Sequence, residues 1–444
     1  MPPVIALLLC SAFVVYLLRL DNKKSLSLSF ATWLPTIYLL SIAGRPLSRW
    51  FGNQSGIETS SPFDQVFHST LLFLGLFVIS RRGLNWSRVR SENSWLIVLL
   101  SFTFISIVWS DMPFVSFKRW IRELEGVVMA LVLLTESSPR MAMESVLRRT
   151  IYISIPFSLL LVKYYQEYGV WYSPWTGEIQ WVGITEQKNG LGRLCLISGF
   201  FLIWTLTRRW RGQDISAGKY QTAAELFLIG ITFWLLKGPS IWAASATGIY
   251  SLSIGLIVFA VLLWMRKRQV TPGVNTLTAI VACLIVIGIL QPIIGGTIVQ
   301  NFTAAIGRNS TLTGRTEIWA GLIPDVMQSP LLGYGFGAFW TEARRFSHDI
   351  GEAHNGYLEV WLNVGIVGII LTSAFLLSFC RKAARGLAFE SDWAILCICY
   401  LLMSVIHNIS ESSFDSFTKH LTAVVLFLAV SFPTASESAA QLPA

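Results

Sequence analysis

Glu352-Ala353-His354-Asn355-Gly356-Tyr357 closes a long polar segment and leads straight into the apolar stretch 356–379, which carries Gly365-Ile366-Val367-Gly368 further along. A run of that length and polarity covers the roughly 30 Å hydrocarbon core of a bilayer as a helix, since lipid leaves backbone groups no partner outside the segment. Runs of the same kind recur at 3–20, 26–43, 62–80, 94–110, 114–134, 150–166, 189–207, 222–238, 244–265, 274–293, 391–408 and 414–432. The expected fold is therefore an all-α integral membrane protein with about 12–13 transmembrane helices. Composition agrees: 53% of the 444 residues are hydrophobic and only 13% are charged, too few to coat a soluble globule. No period-two alternation of the kind found in membrane barrels is present.

Charge sets the expected topology. With the N-terminus outside, alternate loops hold Arg19, Lys23 and Lys24; Arg81, Arg82, Arg88 and Arg90; Arg140, Arg148 and Arg149; Arg208, Arg209, Arg211 and Lys219; Arg266, Lys267 and Arg268; and Arg381, Lys382 and Arg385. Those loops hold 20 of the 34 basic residues, which makes them cytoplasmic and puts 167–188 and 294–355 on the other face. The formal charge of +9 is spread between apolar runs, not gathered on one domain, so nucleic acid is not an expected partner. The first run has no basic residue before it and no small-residue cleavage site after it, and reads as a retained span. One integrated domain is expected, built from N-terminal helices (1–293), an extracytoplasmic loop with an amphipathic helix (294–355) and C-terminal helices (356–444).

Within that loop, Ile318, Trp319, Leu322, Ile323, Val326 and Met327 recur at helical spacing, so 315–328 reads as an amphipathic helix at the outer interface, with Thr313 as its cap. The following run, Pro330-Leu331-Leu332-Gly333-Tyr334-Gly335-Phe336-Gly337, reads as a tight turn. A phosphate-cradling loop needs a strand before it, and here a helix precedes.

Lys118, Arg119, Arg122, Lys188, Arg193, Lys237 and Arg315 fall on or near the outer face, against the charge bias. Any one of them can be a snorkelling side chain. Seven together read as an anion path. Arg315 opens a helix whose N-terminal dipole disfavours a cation, so its place needs a partner or a ligand. His354 has a structural reading, as the residue before an Asn355 cap, and a functional one, as an imidazole with a pKa of about 6.5 suited to moving protons. Glu317, close to Arg315, is a rival base. Gly365 and Gly368, one turn apart, read as a surface for close helix approach. No histidine or cysteine spacing supports a metal, and no cofactor motif appears.

His354-Asn355, nine residues, then Gly365-x-x-Gly368 resembles the histidine motif of the O-antigen ligase and O-antigen polymerase superfamily. Three stretches agree in order: Trp109-Ser110-Asp111-Met112-Pro113 followed by Lys118-Arg119; Glu186-Gln187-Lys188-Asn189-Gly190-Leu191-Gly192; and Thr313-Gly314-Arg315-Thr316-Glu317-Ile318-Trp319. Within the superfamily the chain looks most like exopolysaccharide polymerases of the succinoglycan type. Many ligases carry a Ser-Arg pair where this chain has Ser245-Ala246-Thr247-Gly248. The resemblance implies a GT-C-like, metal-independent, inverting glycosyltransferase of the bacterial inner membrane, acting at the periplasmic face. Its implied substrates are an undecaprenyl-pyrophosphate-linked oligosaccharide and an acceptor glycan or lipid, with membrane lipid, a chain-length regulator and export proteins as partners. In that scheme His354 and Arg315 are catalytic, and Lys188, Arg193, Arg119, Lys118, Asn355 and Glu317 bind pyrophosphate or glycan. The alternatives are a ligase delivering glycan to lipid A core or protein, and a transporter or flippase of an anionic lipid-linked solute. The two halves of the chain do not resemble each other, which speaks against an inverted-repeat transporter.

Overall fold

The computed structural model describes residues 1–24, 27–52, 61–173, 177–214, 218–240, 243–295 and 314–432. Each apolar run contains a helix: α1 Pro3–Lys24, α2 Trp33–Ala43, α3 Pro62–Arg82, α4 Ser94–Ile105, α5 Pro113–Leu134, α6 Pro139–Tyr164, α7 Lys188–Trp210, α8 Lys219–Lys237, α9 Ala246–Lys267 and α10 Val274–Ile293. The loop helix α11 is Arg315–Gln328, and the chain closes with α12 Gly356–Gly386, α13 Ser391–His407 and α14 His420–Val430. The chain is thus an all-α integral membrane protein; among the described residues the strands form one small antiparallel hairpin, β1 Val170–Tyr172 with β2 Ile179–Trp181, in the loop before α7.

Among the described residues, seven helices are long and apolar enough to cross a membrane unaided, and the pair Trp86–Glu92 and Ser94–Trp109, bent by 85°, makes an eighth if counted as one span. The rest depend on their neighbours. All eleven residues of α14 are buried inside the bundle. A helix that touches only protein need not match the lipid thickness. Two expected boundaries move for physical reasons. The helix expected at 150–166 begins at Pro139, because buried Arg148 and Arg149 are carried by Asp21 at 2.9 and 2.7 Å. The last helix, expected from 414, begins at His420, since polar Asp415, Ser416 and Lys419 interrupt the apolar pattern.

The basic loops meet at one end of the bundle, where Arg82 pairs with Glu136 at 2.5 Å, Arg208 with Glu144 at 3.1 Å, Arg266 with Asp392 at 2.6 Å and Lys382 with Glu92 at 3.3 Å. His354, the hairpin and the 408–419 loop lie at the other end. There α11 packs the centre of its apolar face onto protein. Trp319, Leu322 and Val326 are buried with Phe339, Trp340, Leu358 and Leu362, and Trp319 Nε1 donates to the Ala353 carbonyl at 2.9 Å. Thr313, the expected cap, lies outside the described residues; Gly314 occupies the cap position.

Gly365 has a role the Gly-x-x-Gly spacing does not convey. It breaks α12, with φ 67° and ψ −170°. The turn at 330–337 fills the break: Tyr334 N–H donates to the Leu362 carbonyl at 3.0 Å, and Ile366 N–H and Val367 N–H donate to the Pro330 and Leu331 carbonyls at 3.0 and 3.3 Å. The groups orphaned by the break are thereby satisfied. A Cβ on Gly365 would lie 2.1 Å from the Leu331 carbonyl oxygen. Gly365→Ala is expected to cost at least about 1–3 kcal/mol, read as a fall in the melting temperature of the detergent-solubilised protein.

Candidate active site

The site is built on the 408–419 loop between α13 and α14. Glu411, 3% exposed, lies at its centre. Arg315, the first residue of α11, donates from Nη2 to Glu411 Oε1, and Asn189 Nδ2 of the first turn of α7 reaches the same oxygen at 2.7 Å. His354 Nδ1 lies 3.8 Å from Glu411 Oε2 and 3.3 Å from Glu352 Oε1. One buried carboxylate therefore joins the cation at 315 to the imidazole at 354. The ion pair explains a cation at an unfavourable helix start.

His354 is held in the left-handed backbone region at φ 50°, uncommon for a non-glycine residue and often found at functional sites. Asn355 fixes it there. Its Oδ1 caps α12, accepting from Tyr357 N–H at 3.0 Å and Leu358 N–H at 2.9 Å. Its Nδ2 donates to the Gly288 carbonyl of α10 at 3.2 Å and the Ile409 carbonyl at 3.0 Å. The amide is fully buried and committed to protein on both sides.

Burial on its own lowers the His354 pKa, but Glu411 and Glu352 outweigh it, and the pKa stands above the ordinary imidazole value although Arg315 opposes the rise. Burial likewise raises a carboxyl pKa, yet Arg315 first and then His354 hold Glu411 well below the usual range. Glu411 is thus a fixed anion at neutral pH. Nδ1 of His354 faces two carboxylates, which favour the tautomer with its proton on Nδ1 and leave the lone pair of Nε2 as the one that can accept a proton.

A cavity of about 240 Å³ adjoins this cluster, lined by Glu352 and Ser412 from it and by Arg119, Arg122, Arg345, Glu359, Asp415 and Lys419 among others. Lys419 is held charged by Asp415, which raises its pKa against the effect of burial. Asp415 Oδ1, buried, has no hydrogen-bond partner among the described residues. Helices α7, α11, α12 and α14 are among those that start at this end of the bundle, so their positive dipole ends add to the cations.

The expected residues divide accordingly. His354 and Arg315 come together through Glu411. Arg193 Nη1 reaches the Ser412 carbonyl at 3.5 Å, and Lys188 opens α7 beside Asn189, so both join the cluster's edge. Arg119 lines the cavity while donating to the Gly337 carbonyl. Lys118 lies elsewhere, its Nζ 4.9 Å from the Phe114 ring, and lines a separate lateral cavity. Glu317 is exposed, outside the cluster. Glu352, His354 and Glu411 bring ligand atoms within 4.8 Å of one another, as a divalent cation requires. Arg315 already occupies Glu411 and would repel one.

Residues 231–373 match the model of a family described as O-antigen ligase. The exopolysaccharide production protein ExoQ of Rhizobium meliloti is 26% identical over 316 residues, covering 67% of this chain and 67% of that protein. The chain is thus similar to O-antigen ligase and ExoQ-like proteins. An uncharacterized protein of Haemophilus influenzae is 23% identical over 385 residues, covering 79% of this chain and 87% of that protein. The family region, 231–373, contains Arg315 and His354 and stops short of Glu411, the carboxylate that joins them. A family motif alone therefore does not reveal the anchor. The polar stretch Asn408-Ile409-Ser410-Glu411-Ser412-Ser413 between two apolar runs is its only local signal.

Proposed function

We propose that this protein polymerises oligosaccharide units carried on undecaprenyl pyrophosphate, at the periplasmic face of the bacterial inner membrane. The observation that carries the reading is Glu411, which holds a guanidinium and an imidazole together next to a polar cavity lined by the adjoining Glu352 and Ser412, at the end of the bundle opposite the basic loops. The positive-inside bias makes that end the periplasmic one.

In the proposed reaction an acceptor sugar hydroxyl attacks the anomeric carbon of the diphosphate-linked sugar from the face opposite the leaving group. The new C–O bond forms as the bond to the diphosphate breaks, with inversion. The electron pair and negative charge leave with the polyprenyl diphosphate. Arg315, with Lys188, Arg193 and Arg119 and the helix N-termini, stabilises that charge. His354 Nε2 takes the hydroxyl proton. Asp415 Oδ1 offers a hydrogen-bond acceptor that orients a sugar hydroxyl. The leaving group needs no metal when fixed cations surround it.

Ala246 favours a polymerase over a ligase. Its neighbour Thr247 contacts Ser410 at 3.0 Å, next to Glu411, so the arginine that many ligases have here would stand beside the site. The printed name of ExoQ, an exopolysaccharide production protein, points the same way.

The test is glycan profiling of a deletion strain complemented with wild type or Arg315→Ala. Arg315→Ala is expected to lower polymer formation by roughly 10²–10³, the loss typical of one transition-state charge donor, with single lipid-linked units accumulating. Polymer that forms but fails to reach an anchor makes the chain a ligase. Unchanged glycan contradicts both.

A further inference from the structure

A second cavity of about 160 Å³ lies between α3 and α5, at the same end of the bundle as His354. His68, Ser69, Phe117, Lys118 and Arg122 are among its lining residues, and Arg122 lines the central cavity too. It opens beside the outward face of α3, where Phe63, Val66, Phe73 and Phe77 are exposed, and Phe114 and Phe117 are exposed on α5. In a membrane-spanning bundle those side chains meet lipid.

The carboxylates of this cavity are committed inside the protein. Asp64 accepts from Ser48 N–H at 3.1 Å and from the Ser48 hydroxyl at 2.5 Å. Glu125, buried, lies 2.9 Å from His68 Nδ1. His68 Nε2 in turn lies 3.2 Å from Arg122 Nη2, so a Glu125–His68–Arg122 relay orients the guanidinium. Arg122 Nε is buried with no hydrogen-bond partner among the described residues. Lys118 and Arg122 remain as cations beside a lipid-facing wall. A half-buried guanidinium with a spare Nε donor there matches a phosphate on a lipid.

We propose that this lateral cavity takes the diphosphate headgroup of a second lipid-linked unit, with Arg122 as the cation it shares with the central cavity. The inference rests on the polymerase reading above, which requires two lipid-borne substrates. It assigns His68 and Glu125 as positioning residues for Arg122.

The experiment uses the full chain in proteoliposomes. The lipid-linked donor is held constant and two acceptors are compared: a unit on a long polyprenyl diphosphate, and an analogue on a short, water-soluble diphosphate tail. Ser69→Trp places an indole at the exposed rim. It is expected to slow transfer to the long-tailed unit by about tenfold while sparing the short-tailed analogue, and Lys118→Ala to raise KM for the long-tailed unit by about tenfold, the value of one charged hydrogen bond. Both variants matching wild type on both acceptors overturns the lateral site and leaves the polymerase reading intact. Should Ser69→Trp lose both acceptors through misfolding, the KM of Lys118→Ala decides. If phosphatidylglycerol-rich vesicles raise the wild-type KM relative to phosphatidylcholine and Lys118→Ala removes that rise, the cavity holds bulk phospholipid and the proposal is overturned. A wild-type protein that transfers sugar to neither acceptor contradicts the polymerase reading itself.

Discussion

Glu411→Ala is expected to abolish sugar transfer and to destabilise the protein together. Removing one partner of a buried pair leaves the other charge uncompensated, at a cost of about 3–5 kcal/mol, and here Arg315 and Asn189 both lose their acceptor. Glu411→Gln separates the two effects, because it keeps the side chain's size and an acceptor oxygen for Arg315 while removing the charge that raises the His354 pKa. The sign is fixed by chemistry. A general base must be neutral to act, so wild-type activity rises with pH through the raised His354 pKa. With glutamine at 411, burial and Arg315 face one carboxylate fewer, the His354 pKa falls, and the acidic limb of the pH–rate profile moves to lower pH while the maximal rate drops. Stopped assays in proteoliposomes across pH read both. A limb that stays in place means that Glu411 does not act through the imidazole.

His354→Ala is expected to lower the turnover rate by about 10²–10⁴, the usual contribution of a positioned general base. The loss should fall on kcat, since His354 contributes no cation for the diphosphate. The helix start stays intact, because Asn355 and not His354 caps α12 and ties it to α10 and the 408–419 loop. Melting in detergent should therefore change far less than activity. A rise in KM at unchanged kcat would instead make His354 a binding residue.

Much of this was legible in the sequence, for reasons that lie in local pattern. Apolar runs mark every membrane helix among the described residues, since lipid dictates length and polarity residue by residue. Basic clusters marked one end of the bundle, and the structure gathers them there. Asn355 was readable as a cap because a cap is a contact within one turn. Arg315 stood out as a cation at the wrong end of a helix. Other features were hidden. Glu411 meets Arg315 across 96 positions, and no periodicity encodes a pairing that distant. Asp415 and Lys419 were masked by Phe414 and Phe417, which extended the apolar pattern of the last helix into what is a polar loop. Gly365 was read as a close-packing residue because Gly-x-x-Gly looks the same whether a helix packs there or breaks there. The difference is made by the turn at 330–337, which supplies the missing hydrogen bonds from outside the helix. The hairpin at 170–181 is too short to carry an alternation against the apolar background.

The central claim is that Glu411 and His354 work as one unit in sugar transfer. A double-mutant cycle in kcat/KM, combining Glu411→Gln with His354→Ala, tests it most directly. The expected result is strong non-additivity, with the double variant no slower than His354→Ala alone. Losses that multiply would show two independent roles and contradict the account.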